Sequence, residues 1–242
     1  MKRKPAPPAP HLAPPFRTTP FLKAGAAEPI QLTAPQREAL ARIGMRIRLP
    51  PRMLIYREGS AAHWVFAVAE GAVKTYRELP SGKRPVSAFL FRGDLFGLAE
   101  AGAYLNTAQS ITGVTLYRLP LDELTVLLRH DSDLQFQFLA KVTHELRESQ
   151  RRAILINRRD AAGRLAMFLE LMSEHGEPGA KTGRSVQLPM TRSDIAGFLG
   201  LSLEAVSRAS SELERRGLVK FENRHLARIV DATRLGKLAA TV

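Results

Sequence analysis

Glu204, Ser207 and Arg208 are spaced so that a helix would carry all three on one face, with Ser211 one turn further along. These residue types suit one chemistry well. A guanidinium fits the O6 and N7 acceptors of guanine as a fork, a carboxylate accepts from the amino group of cytosine, and a serine hydroxyl adapts to several partners. Each good bidentate pair discriminates against the wrong base by about 1–3 kcal/mol. A Glu–Arg pair at i,i+4 also occurs on ordinary solvated helices, so what surrounds the three residues decides between the two.

Other chemistries lack their parts. The sequence has no Gly-x-Ser-x-Gly, no His-Glu-x-x-His and no Walker loop. Gly179-Ala180-Lys181-Thr182 has the wrong glycine spacing for a phosphate loop and no strand before it, and reads as an exposed turn. His11, His63, His130, His144, His175 and His225 are scattered, and no metal site is expected of them. With no cysteine at all, the chain has no thiolate metal site and no means of holding a cysteine-ligated iron–sulfur cluster. An enzyme is not expected, and no cofactor. No apolar run approaches the ~20 residues of a membrane span, so no membrane partner is expected and the cytoplasm is the expected compartment.

The elements that must position the three residues lie in Met190–Gly217. Thr191 with Asp194 three residues on is a capping-box-like start. Ile195, Ala196 and Leu199 then make an apolar stripe for a helix of about two turns, and Gly200 supplies the left-handed residue of a sharp corner. Ser202 is an N-cap for a second helix running to about Arg216. Val206, Ala209, Ser210 and Leu213 form its inward face, which leaves Glu204, Ser207, Arg208 and Ser211 outward. Two short helices joined by such a turn are a helix-turn-helix, whose second helix offers its N-terminal half to base edges in the major groove of double-stranded DNA. Helix starts also favour anions, so Thr191, Arg192, Ser193 and Ser202 are candidate phosphate contacts, together with Ser211 and Arg224.

The net charge of +13 agrees with an anionic partner. Its distribution carries less: nets of +4 over residues 1–30, +5 over 31–130, 0 over 131–156 and +4 over 157–242 leave no concentration in the helix-turn-helix.

Thr191-Arg192-Ser193-Asp194-Ile195-Ala196, Leu199-Gly200-Leu201-Ser202 and Glu204-Ala205-Val206-Ser207-Arg208 resemble the DNA-binding domain of the CRP/FNR superfamily of bacterial transcription regulators. The Glu-x-x-Ser-Arg form is similar to the FNR and FixK branches, which read TTGAT-type half-sites. The cyclic-AMP receptor branch usually has Arg before the Glu, where this chain has Leu203. The resemblance implies a homodimer on a palindromic operator, RNA polymerase as a further partner, and control of respiratory, oxygen- or nitrogen-related genes.

The rest of the chain fits an α+β class. Residues 1–30 are Pro- and Ala-rich without periodicity and read as a disordered basic tail. Over 31–130, a helix at Ala34–Ile43 precedes strand-like runs at Met45–Leu49, Met53–Tyr56, Trp64–Val68, Ala72–Tyr76, Val86–Phe91, Thr107–Ile111 and Thr115–Leu119, punctuated by turn residues. Their order resembles the superfamily's cyclic-nucleotide-binding-type β-roll, with a short helix at Leu121–His130. Residues 131–159 read as one long helix in which Leu139, Val142, Leu146, Ser149, Ala153 and Ile156 repeat at alternating steps of three and four. The resemblance makes that seam the dimer interface. Residues 160–242 form a winged helix-turn-helix, with Ala161–Glu174 as an amphipathic helix and Leu218–Val230 as the wing.

Cyclic-AMP-binding members carry Gly-Glu after the Phe for the ribose and an Arg-Ser pair for the phosphate. Here Gly97-Leu98-Ala99-Glu100 and then Asn106-Thr107-Ala108 stand instead. Without that guanidinium the strongest anchor for a cyclic phosphate is missing. Two alternatives remain at this level: a regulator of the same fold gated by haem or another small molecule, and a non-specific basic DNA-binding protein.

Overall fold

A computed structural model describes residues 33–99, 102–157, 160–174 and 185–240. The tail over 1–30, Glu100 and the Gly179–Thr182 loop lie outside them. The chain forms two compact units. The first comprises the chain up to Tyr76 together with Phe89–Glu148, and the second Arg77–Ala88 together with Ser149 onward.

The first unit opens with α1 (Ala34–Ile43). Thr33 and Gln36 close a capping box at its start, and proline sits in its first turn, where no amide donor is needed. Strands β1 (Met45–Leu49), β3 (Trp64–Glu70), β6 (Leu95–Phe96) and β8 (Val114–Pro120) form one antiparallel sheet in the order β1-β8-β3-β6. Strands β2 (Leu54–Tyr56), β4 (Val73–Tyr76), β5 (Val86–Leu90, of which only Phe89 and Leu90 count with this unit) and β7 (Thr107–Ser110) form another, in the order β2-β7-β4-β5.

Strand alternation decides what each face of the first sheet meets. Val65 and Ala67 of β3, Leu95 of β6, and Tyr117 and Leu119 of β8 face Leu40 of α1, Leu124 of α2 (Leu121–His130), and Leu134 and Phe138 of α3 (Ser132–Asn157). Full burial of each large side chain there contributes about 1.5–3 kcal/mol. The opposite face presents Phe66 and Phe96, directly paired across the strands with ring centroids 5.2 Å apart. The long helix starts at a local cap, the Leu134 amide donating to Asp131 at 2.8 Å. It is anchored to the sheet by a buried ion pair between Lys141 and Asp94 at 2.9 Å.

The second unit holds α4 (Ala161–Glu174), α5 (Arg192–Leu199), α6 (Leu203–Arg215) and α7 (Ala232–Ala240). Its sheet of β9 (Ser185–Gln187), β10 (Val219–Phe221) and β11 (Leu226–Ile229) has the order β10-β11-β9. Leu165, Phe168, Leu169 and Met172 make the buried face of α4, as their spacing predicts. Asp231 caps α7, accepting from the Arg234 amide at 2.9 Å.

The sequence places most elements within two residues of these bounds. Two were missed: β6, read only as turn punctuation, and β9, which adds a third strand to the wing. The long helix is described as far as Asn157, and the last two residues of the expected span, 158 and 159, lie outside the described residues. The boundary between the two units falls inside α3, after Glu148.

Candidate nucleic-acid interface

The helix-turn-helix is assembled by local caps. At the start of α5 the Asp194 amide donates to the Thr191 hydroxyl at 3.1 Å, and the Thr191 amide donates back to the Asp194 carboxylate at 3.1 Å. The Thr191 hydroxyl also donates to that carboxylate at 2.7 Å. Gly200 ends the helix with φ 63°, a left-handed geometry that a side chain would strain. Ser202 then starts α6 by accepting from the Ala205 amide at 3.1 Å.

Within α6 the two faces divide as the spacing predicts. Val206, Ala209, Ser210 and Leu213 are buried, and the Ser210 hydroxyl is satisfied by donating to the Val206 carbonyl at 2.9 Å. Glu204, Ser207, Arg208 and Ser211 are exposed. Leu203 joins them at the first position of the helix, 48% exposed. The sequence reading noted it only as a departure from the cyclic-AMP receptor branch and gave it no contact; the available signal was an apolar residue beside Glu204 that belongs to neither the buried stripe nor a cap.

The electrostatics suit recognition of base edges. The backbone amide of Glu204 itself, then the Ser202 hydroxyl, then the Arg208 charge hold the Glu204 carboxyl below the usual carboxylate range, so it is ionised at neutral pH. Among the described residues Arg208 has no carboxylate within ion-pair distance. Its five donors are therefore not engaged by an acidic neighbour.

The candidate phosphate contacts differ from one another. Arg192 and Ser193, in the first turn of α5, are exposed, and the Arg192 guanidinium lies 6.0 Å from the centre of the Phe221 ring on the wing. Arg224 is exposed on the wing turn. Thr191 and Ser202 have their hydroxyls engaged in capping and in hydrogen bonds to Asp194 and Glu204 respectively. What they present outward is chiefly the amide-rich helix start that they organise.

The six seam residues are on α3. Leu139 is 50% exposed, Val142 43%, Leu146 58% and Ile156 36%, and Ser149 and Ala153 are exposed as well. Such a stripe along one helix is unburied within a single chain. Among the described residues no group of His, Cys, Asp or Glu could hold a metal ion, and no helix is long and apolar enough to cross a membrane.

Inside the roll, Tyr56 stacks on Tyr104 with ring centroids 3.8 Å apart, and it also lies against Phe66 and Phe96 at 5.8 and 6.1 Å. The Tyr56 hydroxyl donates to Asn106 at 3.1 Å. Burial pushes the Tyr56 phenol well above its ordinary value, so it stays protonated.

Residues 46–131 match the family model of the cyclic nucleotide-binding domain, and residues 163–238 match that of the Crp-like helix-turn-helix domain. The chain is 31% identical over 203 residues to the transcriptional activatory protein AadR of Rhodopseudomonas palustris, covering 84% of each. It is 28% identical over 216 residues to the nitrogen fixation regulation protein FixK of Bradyrhizobium diazoefficiens, covering 86% of this chain and 88% of the relative. Among solved structures it superposes on FixK2 from Bradyrhizobium japonicum with a TM-score of 0.76 at 30% identity, over 83% of this chain and 99% of that one. Among the described residues of the roll, those compared with the phosphate site do not fit a cyclic nucleotide. Asn106 and Thr107 supply no cation for the phosphate, and Asn106 is held by a tyrosine from a packed aromatic cluster.

Proposed function

The chain belongs to the CRP/FNR superfamily of bacterial transcription regulators, in its FNR- and FixK-like branch, and from that premise we infer that it binds palindromic operators with TTGAT-like halves as a homodimer. The observation that carries this is the outward face of α6, where an ionised Glu204 and an Arg208 that, among the described residues, lies within ion-pair distance of no carboxylate stand one turn apart with Ser207 between them. In the groove Arg208 donates to guanine and Glu204 accepts from cytosine, so the two read the central C·G pair of a half-site. Ser207 contacts the neighbouring base. Arg192, Ser193, Ser211 and Arg224 meet phosphates, and Thr191 and Ser202 contribute through the helix starts they cap.

Dimerisation through Leu139, Val142, Leu146, Ser149, Ala153 and Ile156 removes the exposed seam from water. It also sets two reading helices one DNA turn apart, roughly 34 Å. The cytoplasm is the compartment, RNA polymerase is a further partner, and the genes served belong to respiration, oxygen response or nitrogen metabolism, the last in keeping with the name of the nitrogen fixation regulation protein FixK.

Selection of bound sites from random duplexes tests this directly. A palindrome with TTGAT-like halves should be enriched, and Leu146→Glu should shift the sedimentation of the free protein to that of a monomer. Bound sequences without a common motif, or a wild type that sediments as one chain, would overturn the assignment.

A further inference from the structure

The last carbonyls of a helix carry partial negative charge and lack partners within the helix. At the end of α5 three successive ones, counting that of the capping Gly200, are met by guanidinium groups from outside the helix-turn-helix. Arg164, in the first turn of α4, donates from Nη1 to the Leu199 carbonyl at 2.9 Å and to the Gly200 carbonyl at 3.4 Å. That contact closes the corner between α5 and α6. Arg152, in the last turns of α3, donates from Nε to the Phe198 carbonyl at 3.4 Å, and its guanidinium carbon lies 5.1 Å from the centre of the Phe198 ring.

The two arginines have different consequences. Arg164 serves the turn itself. Arg152 reaches a residue already fixed by the core: Phe198 is buried and packs on the fully buried Phe168, with ring centroids 5.6 Å apart. Phe198 cannot shift alone without disturbing that packing. Arg152 is half-buried, which lowers its guanidinium pKa but leaves it charged at neutral pH. It is also the residue immediately before Ala153, and four before Ile156, both exposed on the seam. The stretch of helix that would face a second chain therefore grips the first helix of the helix-turn-helix with a side chain.

We propose that Arg152 is a positioning residue for operator recognition: by tying Phe198 to the terminal turns of α3, it sets the angle of the reading helix against the dimer seam and hence the separation of half-sites that the dimer accepts. This rests on the dimeric reading above. Arg152 touches no base in this scheme. Its effect is on paired half-sites, not on the sequence of either one.

The full-length protein would be tested on duplexes carrying two TTGAT halves, with their centres moved by one and two base pairs in either direction, and on a duplex carrying one half. Wild type should lose about tenfold in affinity for each base pair of displacement, the scale of one charge-assisted contact. Arg152→Ala and Arg152→Gln should flatten that dependence to within about twofold while binding the single half-site as wild type does. Arg152→Lys, which keeps a cation within reach of the ring and the carbonyl, should restore part of the optimum. Should the alanine variant melt early, the glutamine and lysine variants carry the comparison. A spacing optimum equally steep in all of them overturns the coupling alone, as does an equal loss on single and paired sites, which marks a merely structural role. A wild type indifferent to pairing overturns the dimeric reading as well.

Discussion

Lys141 and Asp94 form an ion pair at 2.9 Å with side chains only 7% and 15% exposed. Asp94 also accepts from the Phe91 amide at 2.8 Å through its other oxygen. A buried pair of this kind is costly to break on one side, because the remaining charge has lost its water and gained nothing.

Asp94→Ala should therefore destabilise the first unit by about 3–5 kcal/mol. Replacing both partners with apolar residues, Asp94→Leu with Lys141→Met, should recover much of that loss. Urea denaturation of the three proteins measures both. A single variant as stable as wild type would mean the pair does not anchor α3.

Arg208→Ala should remove about 1–3 kcal/mol of preference for the C·G pair it reads and leave preference at other positions unchanged. Competition between duplexes that differ at that pair measures it. A uniform loss at all sequences would instead mark Arg208 as a phosphate contact.

Leu203 is exposed at the mouth of the reading face, where an apolar side chain gains most from the methyl group of thymine. Replacing the half-site thymines by deoxyuridine should weaken wild type by about 0.8 kcal/mol for each methyl that Leu203 covers. Leu203→Ala should be insensitive to the replacement. Equal sensitivity of the two proteins would exclude the contact.

The Glu204 carboxyl is held below the usual carboxylate range, chiefly by its own backbone amide and the Ser202 hydroxyl. The sign follows from this: the ionised form is favoured, and its interactions are lost only as pH falls through the depressed value. Discrimination owed to Glu204 should thus be the same at about pH 7.5 and about pH 5.5, above the ordinary glutamate value of ~4.3. Ser202→Ala should raise the carboxyl titration seen by NMR. No movement in that variant would remove Ser202 as a cause.

Gly197→Ala brings two effects into opposition. Alanine favours a helix interior by about 1 kcal/mol over glycine. A Cβ at this position would, however, meet the Arg84 carbonyl at 2.9 Å, a backbone atom of the same unit that cannot swing aside. The clash should win, with a net loss of about 1–3 kcal/mol in thermal melting. A stabilised variant would show that the close approach relaxes freely.

What could be read from the sequence was what is decided locally. Thr191 with Asp194 is a cap whose partner lies three residues away, and Gly200 marks its own turn. The buried and exposed faces of α6 follow from a period that any window of ten residues contains. The missed elements are set by distant partners. Leu95–Phe96 is a strand only because β3 pairs with it, and Ser185–Gln187 only because β11 does. Neither is long enough to show a period. Lys141 finds Asp94 across 47 residues and Arg152 finds Phe198 across 46, and nothing in either neighbourhood announces the other. Arg164 and Gly197 belong to the same class. The exposed face of α6 was visible; the framework that holds it was not.

Val206, Ala209, Ser210 and Leu213 hold α6 in place from within, and Arg164 holds the corner from behind. The outward row from Leu203 to Ser211 has little part in keeping the fold, since exchanges at exposed sites usually change stability by less than about 0.5 kcal/mol. If that row reads base edges as proposed, one or two codon changes there would re-address the protein to different promoters while its scaffold stays intact.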